Sequence, residues 1–270
     1  MAMTRRTAIL ALLLLAGCGS AVPSATSGPT TTAATPLRLL RVETGGGLVA
    51  PDFVFRQLPT LVVYGDGVVI TQGPQAAIFP GPALPNLIER QLDAAGLATL
   101  TEALRDAGLL TATPPSYELN PITIADAPTT TLTVTVGNVT AVHSAYALGM
   151  VVENGARKKL ADFVARLGDL SAVVGGSHLG KETSYVPTSF RVRATPNPSD
   201  GGVQPRPEVI DWPLATVDLA RATTCAPVTA IGARALFASM TETTRVRQAG
   251  SVYAIAIRQV LPGEAACPGA

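Results

Sequence analysis

Five side chains in this sequence carry scarce, reactive groups: three cysteines, Cys18, Cys225 and Cys267, and two histidines, His143 and His178. A thiol attacks electrophiles, binds metals or pairs with a second thiol, and an imidazole moves protons or binds metals. Metal sites gather such groups at short, regular spacing. Neither Cys225 nor Cys267 has a histidine or another cysteine near it, so no metal site is assigned. The spacings G-x-S-x-G, H-E-x-x-H and S-x-x-K do not occur, and no catalytic residue or cofactor is assigned.

His143 lies in a stretch whose alternation places it on an apolar face with Leu132, Val134, Val136, Val139 and Ala141. There it is either a pocket base or a core histidine with satisfied nitrogens. Asp126 is its obvious carboxylate partner by type, but sits six residues along the ladder, roughly 20 Å away at the strand rise. His178 stands beside Ser177 in "GGSHLGK". Sequence neighbours do not make a catalytic pair, because base and nucleophile must meet in space with a third, orienting group. Trp212, the single tryptophan, is either an interface hot spot or a core anchor. His143, Asp126 and Trp212 are therefore the candidate binding or pocket residues.

The odd cysteine is explained at the N-terminus. Arg5 and Arg6 precede an apolar run, Ala8 to Gly17, that is half the length of about twenty needed to span a bilayer. The run ends in Leu15-Ala16-Gly17-Cys18, which resembles the lipobox of bacterial lipoproteins. That resemblance implies a signal peptide over residues 1–17, cleavage before Cys18 and lipidation of its thiol. The competing reading is an ordinary secretory signal with an incidental cysteine. Residues 18–36, small, polar and proline-rich, read as a disordered tether. With Cys18 taken by lipid, Cys225 and Cys267 remain in an oxidising compartment, and a disulfide between them is expected. It would close a loop of about 43 residues, worth roughly 4 kcal/mol. Two unpaired buried thiols are the alternative.

The elements that must position these groups fall into two runs. In residues 37–174, strands are expected at Leu37–Val42, Phe53–Gln57 and Ile88–Leu92, with a hairpin at Leu61–Thr71 turning on Asp66-Gly67. That turn would place Leu61, Val63, Val68 and Ile70 on one face. Asp93 is an N-cap, Leu97, Leu100, Leu104 and Ala107 follow at helical spacing, and Gly108 ends the helix. A second hairpin joins Thr129–Val136 to Val139–Tyr146 through Gly137-Asn138. A helix after Asn154 carries Leu160, Phe163, Val164 and Leu167. Gly175–Lys181 reads as a linker. In residues 184–270, strands are expected at Tyr185–Ala194 and Pro213–Leu219, a helix near Pro227–Met240, and a hairpin around Ala249-Gly250. The fold class is α+β: antiparallel sheets with helices on one face, in two small units, 37–174 and 184–270.

Charged residues make up 14% of the 270-residue chain and the net charge is +1, so the basic footprint of a nucleic-acid binder is missing. The segments "LVVYGDGVVI" (61–70), "ADAPTTTLTVTV" (125–136) and "YAIAIRQVLPGEAAC" (253–267) resemble uncharacterised exported lipoproteins of high-GC Gram-positive bacteria, a domain of unknown function. The matching motifs are turns and strand patterns, and they imply location and fold but no activity. The expected function is a non-catalytic, lipid-anchored binding module on the extracytoplasmic face of the cell membrane. Its partner would be an envelope protein or glycan. An envelope-polymer hydrolase and a proteinaceous inhibitor of a secreted enzyme are the alternatives. The proline-rich loops 73–87 and 195–207, and the threonine face of Thr131, Thr133, Thr135, Thr140 and Ser144, are the candidate docking surfaces.

Overall fold

The computed structural model describes residues 37–121, 124–199 and 201–268. Cys18, the signal segment and the tether lie outside the described residues. The described residues belong to one compact unit. It is α+β, with two sheets that are antiparallel apart from one short parallel pairing. Among the described residues no helix is long and apolar enough to cross a membrane.

The first sheet contains β1 (Arg38–Gly45), β2 (Leu61–Tyr64), β3 (Val68–Gln72), β4 (Leu87–Gln91), β5 (Thr129–Val136), β6 (Val139–Tyr146) and β7 (Thr183–Ser184), in the order β6-β5-β1-β2-β3-β4-β7. One face is covered by α2 (Ala94–Asp106), α3 (Gly155–Leu167) and α4 (Leu170–Val174). Leu40, Val42, Leu61, Val63, Leu132 and Val134 meet Leu100, Leu104, Leu160, Phe163 and Leu167 there. The second sheet, β10-β8-β12-β11-β9, is built from β8 (Phe190–Pro196), β9 (Val209–Asp211), β10 (Ala226–Val228), β11 (Arg245–Gln248) and β12 (Ser251–Gln259), with α5 (Ala233–Ser239) packed through Phe237.

Local signals produced the expected elements where they are strong. The Asp93 carboxylate accepts from the Gly96 amide at 2.7 Å and caps α2. Gly108 stands at φ +73 just past its end. The β5–β6 hairpin pairs Val136 with Val139 and Leu132 with His143, as the two-residue turn requires. Ala249 and Gly250, both at positive φ, join β11 to β12 in a type I′ geometry.

Several expectations are corrected. Residues 53–57 are not a strand: 53–56 belong to helix α1 (Pro51–Arg56) and Gln57 is its C-cap, with proline at the helix start, Asp52 in the first turn and Arg56 in the last, matching the helix dipole. The β2–β3 connection has three residues, Gly65 to Gly67, because Val63 pairs with Val69. This one-residue slip reverses the facing pattern of β3. Val69 joins Leu61 and Val63 on the helix side, while Ile70 joins Val62 and Tyr64 on the other. Alternation could not reveal the register, because all four residues of β2 are buried.

Residues 185–189 precede β8 rather than belonging to it, and residues 213–219 form turns instead of a strand. The helix expected at 227–240 begins at Ala233, since Ala226–Val228 pairs with β8 and Gly232 is left-handed. The 175–181 segment is not a free linker. The His178 carbonyl accepts from Asp93 N, the Gly180 amide donates to Gln91 O, and Leu179 is buried.

Candidate binding groove

A cleft of about 440 Å³ opens at the end of the first sheet where β1 stops and β3 gives way to the proline-rich loop. Thr44, Phe53, Arg56 and Gln57 line one side; Gln75, Pro82, Ala83, Pro85 and Glu242 line the other; Thr60 and Gln72 lie between. The volume falls within the range of about 300–1,000 Å³ typical of ligand sites.

Both walls are firmly rooted. The stem of the 73–86 loop is closed by Gly73 N to Asn86 O at 2.9 Å and by Asn86 N to the Gln75 side-chain oxygen at 3.1 Å. Its far limb is fastened by Ala83 N to Met240 O and by Glu242, whose carboxylate accepts from Gly81 N. On the opposite wall, Arg193 pairs with Asp52 at 3.2 Å, the Arg191 guanidinium lies 5.0 Å from the centre of the Phe55 ring, and Arg258 Nε donates to Gln57 O at 2.6 Å. The apolar tips of these rooted segments remain in solvent: Phe53 is 57%, Ile78 65% and Phe79 62% exposed.

A second cleft of about 400 Å³ shares Thr60 and Gln72 with the first and runs under the α3–α4 junction. Val42, Leu61, Val69, Leu167 and Leu170 form its floor, and Arg90, Asp169, Ser171 and Glu182 its rim. The Ser171 hydroxyl and the Ala172 amide hold the Asp169 carboxyl below its usual range. The two clefts together offer apolar walls, amides, hydroxyls and a few charges of both signs. On the rim of the second cleft the Ser171 hydroxyl donates to the Asp169 carboxylate, which also accepts from Ala172 N at the start of α4. Apolar walls with a few polar groups are usual at ligand sites.

The residues singled out from the sequence lie elsewhere. His143 is fully buried, with Nδ1 2.7 Å from the Tyr117 hydroxyl and Nε2 3.0 Å from Leu109 O. Nε2–H must donate to that carbonyl, so Nδ1 accepts from Tyr117. Burial pushes the imidazole below its ordinary value, and both nitrogens are occupied inside the core. Tyr117 is in turn positioned by Arg157, whose Nη1 donates to Tyr117 O at 2.6 Å while its Nε pairs with Glu153 at 2.7 Å. Asp126 sits exposed at positive φ in the turn before β5. Trp212 is a core residue: its indole stacks on Phe237 at 6.1 Å, and Nε1 donates to Val217 O. Cys225 and Cys267 form the disulfide. On the threonine face, hydroxyls pair across strands, Thr135 with Thr140 at 3.1 Å and Thr131 with Ser144 at 3.4 Å.

The structure brings together one pair that sequence reasoning missed. His178 Nδ1 lies 3.0 Å from Asp93 Oδ2, and the bond from His178 is the main reason the Asp93 carboxyl sits below its usual range. The pair fastens the 175–180 segment to the start of α2. Among the described residues no group of three His, Cys, Asp or Glu side chains is placed to hold a metal. No protein family, curated protein or solved structure matches the chain.

Proposed function

We propose that this chain is a lipid-anchored cell-envelope protein, held through Cys18, whose folded unit is a non-catalytic binding module acting through the groove beside α1 and the 73–86 loop. The observation that carries the reading is the pairing of firmly rooted walls with exposed apolar tips. Large apolar side chains in solvent cost free energy, and a rigid support lowers the entropy lost when a partner covers them. His143, the natural centre of a hydrolase reading, has no free nitrogen to offer a substrate.

The test is site-specific photocrosslinking in living producer cells. A photoreactive residue at Gln75, in the groove, should give a discrete adduct on the full chain. The same residue at Val139, at the end of an edge strand, should not. Equal labelling at both positions, or none at Gln75, would remove the groove as the working surface. Alkyne-palmitate labelling lost in Cys18→Ala tests the anchor separately.

A further inference from the structure

We infer that the groove receives an extended, uncharged, apolar segment of another exported protein; this rests on the binding-module reading above and names its partner class. Three observations select that occupant over a lipid surface or an anionic polymer.

The first is direction. The chain leaves the folded unit at Leu37, whose carbonyl accepts from Gly65 in the β2–β3 turn. β1 then runs eight residues to Gly45, beside the groove. At about 3.3 Å per residue the groove lies roughly 25 Å from the point where the N-terminal segment departs, at the opposite end of the same strands. The groove therefore opens at the end of the first sheet opposite to Leu37.

The second is charge. The lining holds one arginine, Arg56, and one acid, Glu242, and the nearby Asp52 is neutralised by Arg193. Anionic headgroups or polyanions need clustered cations, which this balance does not supply. Arg56 and Glu242 are single charges of opposite sign, so the lining carries no net charge for a charged ligand to match.

The third is the polar equipment. Gln72 donates its amide N–H groups to Leu58 O and Pro59 O, which fixes the side chain, and Gln57 and Thr60 stand beside it. Fixed side-chain amides between apolar walls suit a peptide main chain flanked by apolar side chains.

The experiment uses a soluble form spanning residues 35–270, the compact unit, produced in an oxidising compartment. A phage-displayed library of random short peptides is selected on it. Flotation with vesicles of phosphatidylglycerol and phosphatidylethanolamine, and sedimentation of the protein alone, run in parallel. The expected result is a family of uncharged peptides with recurrent apolar positions. Their affinity should fall about tenfold or more in Phe53→Ser/Phe79→Ser, a variant whose melting is unchanged because both rings are exposed. A charged consensus, or binding insensitive to that variant, overturns the inference. So does vesicle flotation that depends on the two phenylalanines, or a dimer that covers them. If peptides, vesicles and a second copy all fail to engage the groove, the binding-module reading itself falls.

Discussion

Arg41 of β1 donates to Glu264 of the C-terminal tail at 2.6 Å, although the two are 223 positions apart in the chain. Arg258 of β12 donates to the same carboxylate at 2.6 Å and 3.1 Å, and Leu261 N adds a fourth donor. The tail reaches this position along the non-helical face of the first sheet. Leu261 packs with Leu58, Val62, Tyr64 and Ile70, and the Tyr64 hydroxyl donates to Pro262 O. Cys267 then fastens the tail to Cys225, just before β10 of the second sheet. One carboxylate thus joins arginines from both sheets.

Replacing Glu264 with Gln should destabilise the fold by about 3–5 kcal/mol, because the buried Arg258 loses its counter-charge, while Arg41 keeps Glu43. The pH dependence has a defined sign. Burial raises the Glu264 carboxyl, but the bonds and charges of Arg258 and Arg41 outweigh it and bring it down to about 2. A carboxyl depressed in the folded state contributes stability that is complete above its unfolded value of about 4.3 and is lost as pH falls toward the folded value. Urea unfolding between pH 6 and pH 2 should therefore show a flatter acid limb in Glu264→Gln than in the parent. Identical limbs would show that the pair is not a net stabiliser.

The Cys225–Cys267 bridge spans a sequence separation of 42. Its removal in Cys225→Ser/Cys267→Ser should cost roughly 4 kcal/mol through the freed unfolded chain. Limited proteolysis should then cut first in residues 260–268. A denaturation midpoint unchanged by the double substitution would mean that Glu264 and Leu261 hold the tail alone.

Tyr117→Phe leaves the buried acceptor Nδ1 of His143 without a donor and should cost about 1–3 kcal/mol. His143→Ala removes both bonds and opens a cavity, and should cost more. Neither substitution should change peptide binding at the groove. Burial depresses the His143 imidazole, so its share of the stability is intact above the unfolded value of about 6.5 and shrinks as pH falls below it. Loss of groove binding in well-folded Tyr117→Phe would contradict a purely structural role.

Gly67→Ala should destabilise the β2–β3 turn by at least about 2 kcal/mol. Its φ is +89, and a methyl group there would stand 2.3 Å from Leu92 O. Gly137→Ala, at φ +58 with open space around it, serves as the control and should cost about 1–2 kcal/mol. Equal melting temperatures for the two variants would rule out the clash.

Legibility followed the range of the interaction. α2 and α3 were readable because leucines three and four apart mark a buried stripe and Asp93 announces its cap within three residues. The β5–β6 and β11–β12 hairpins were readable because their two-residue turns set the register locally. The facing of β3 was misread for the opposite reason. It hangs on the register with β2, and because all four residues of β2 are buried, alternation there does not set that register. α1 was misread because it buries no residue completely and so shows no apolar stripe.

The sequence by itself determined the α+β class, the main hairpins and helices, and the pairing of Cys225 with Cys267. Each rests on a period, a turn or a count carried by a short stretch of residues. Only the tertiary structure decided that Asp93 meets His178, that Glu264 serves Arg41 and Arg258, and that α1 and the 73–86 loop enclose a groove. Those meetings join residues tens to hundreds of positions apart. They depend on how strands are ordered across a sheet, and no local period records that order.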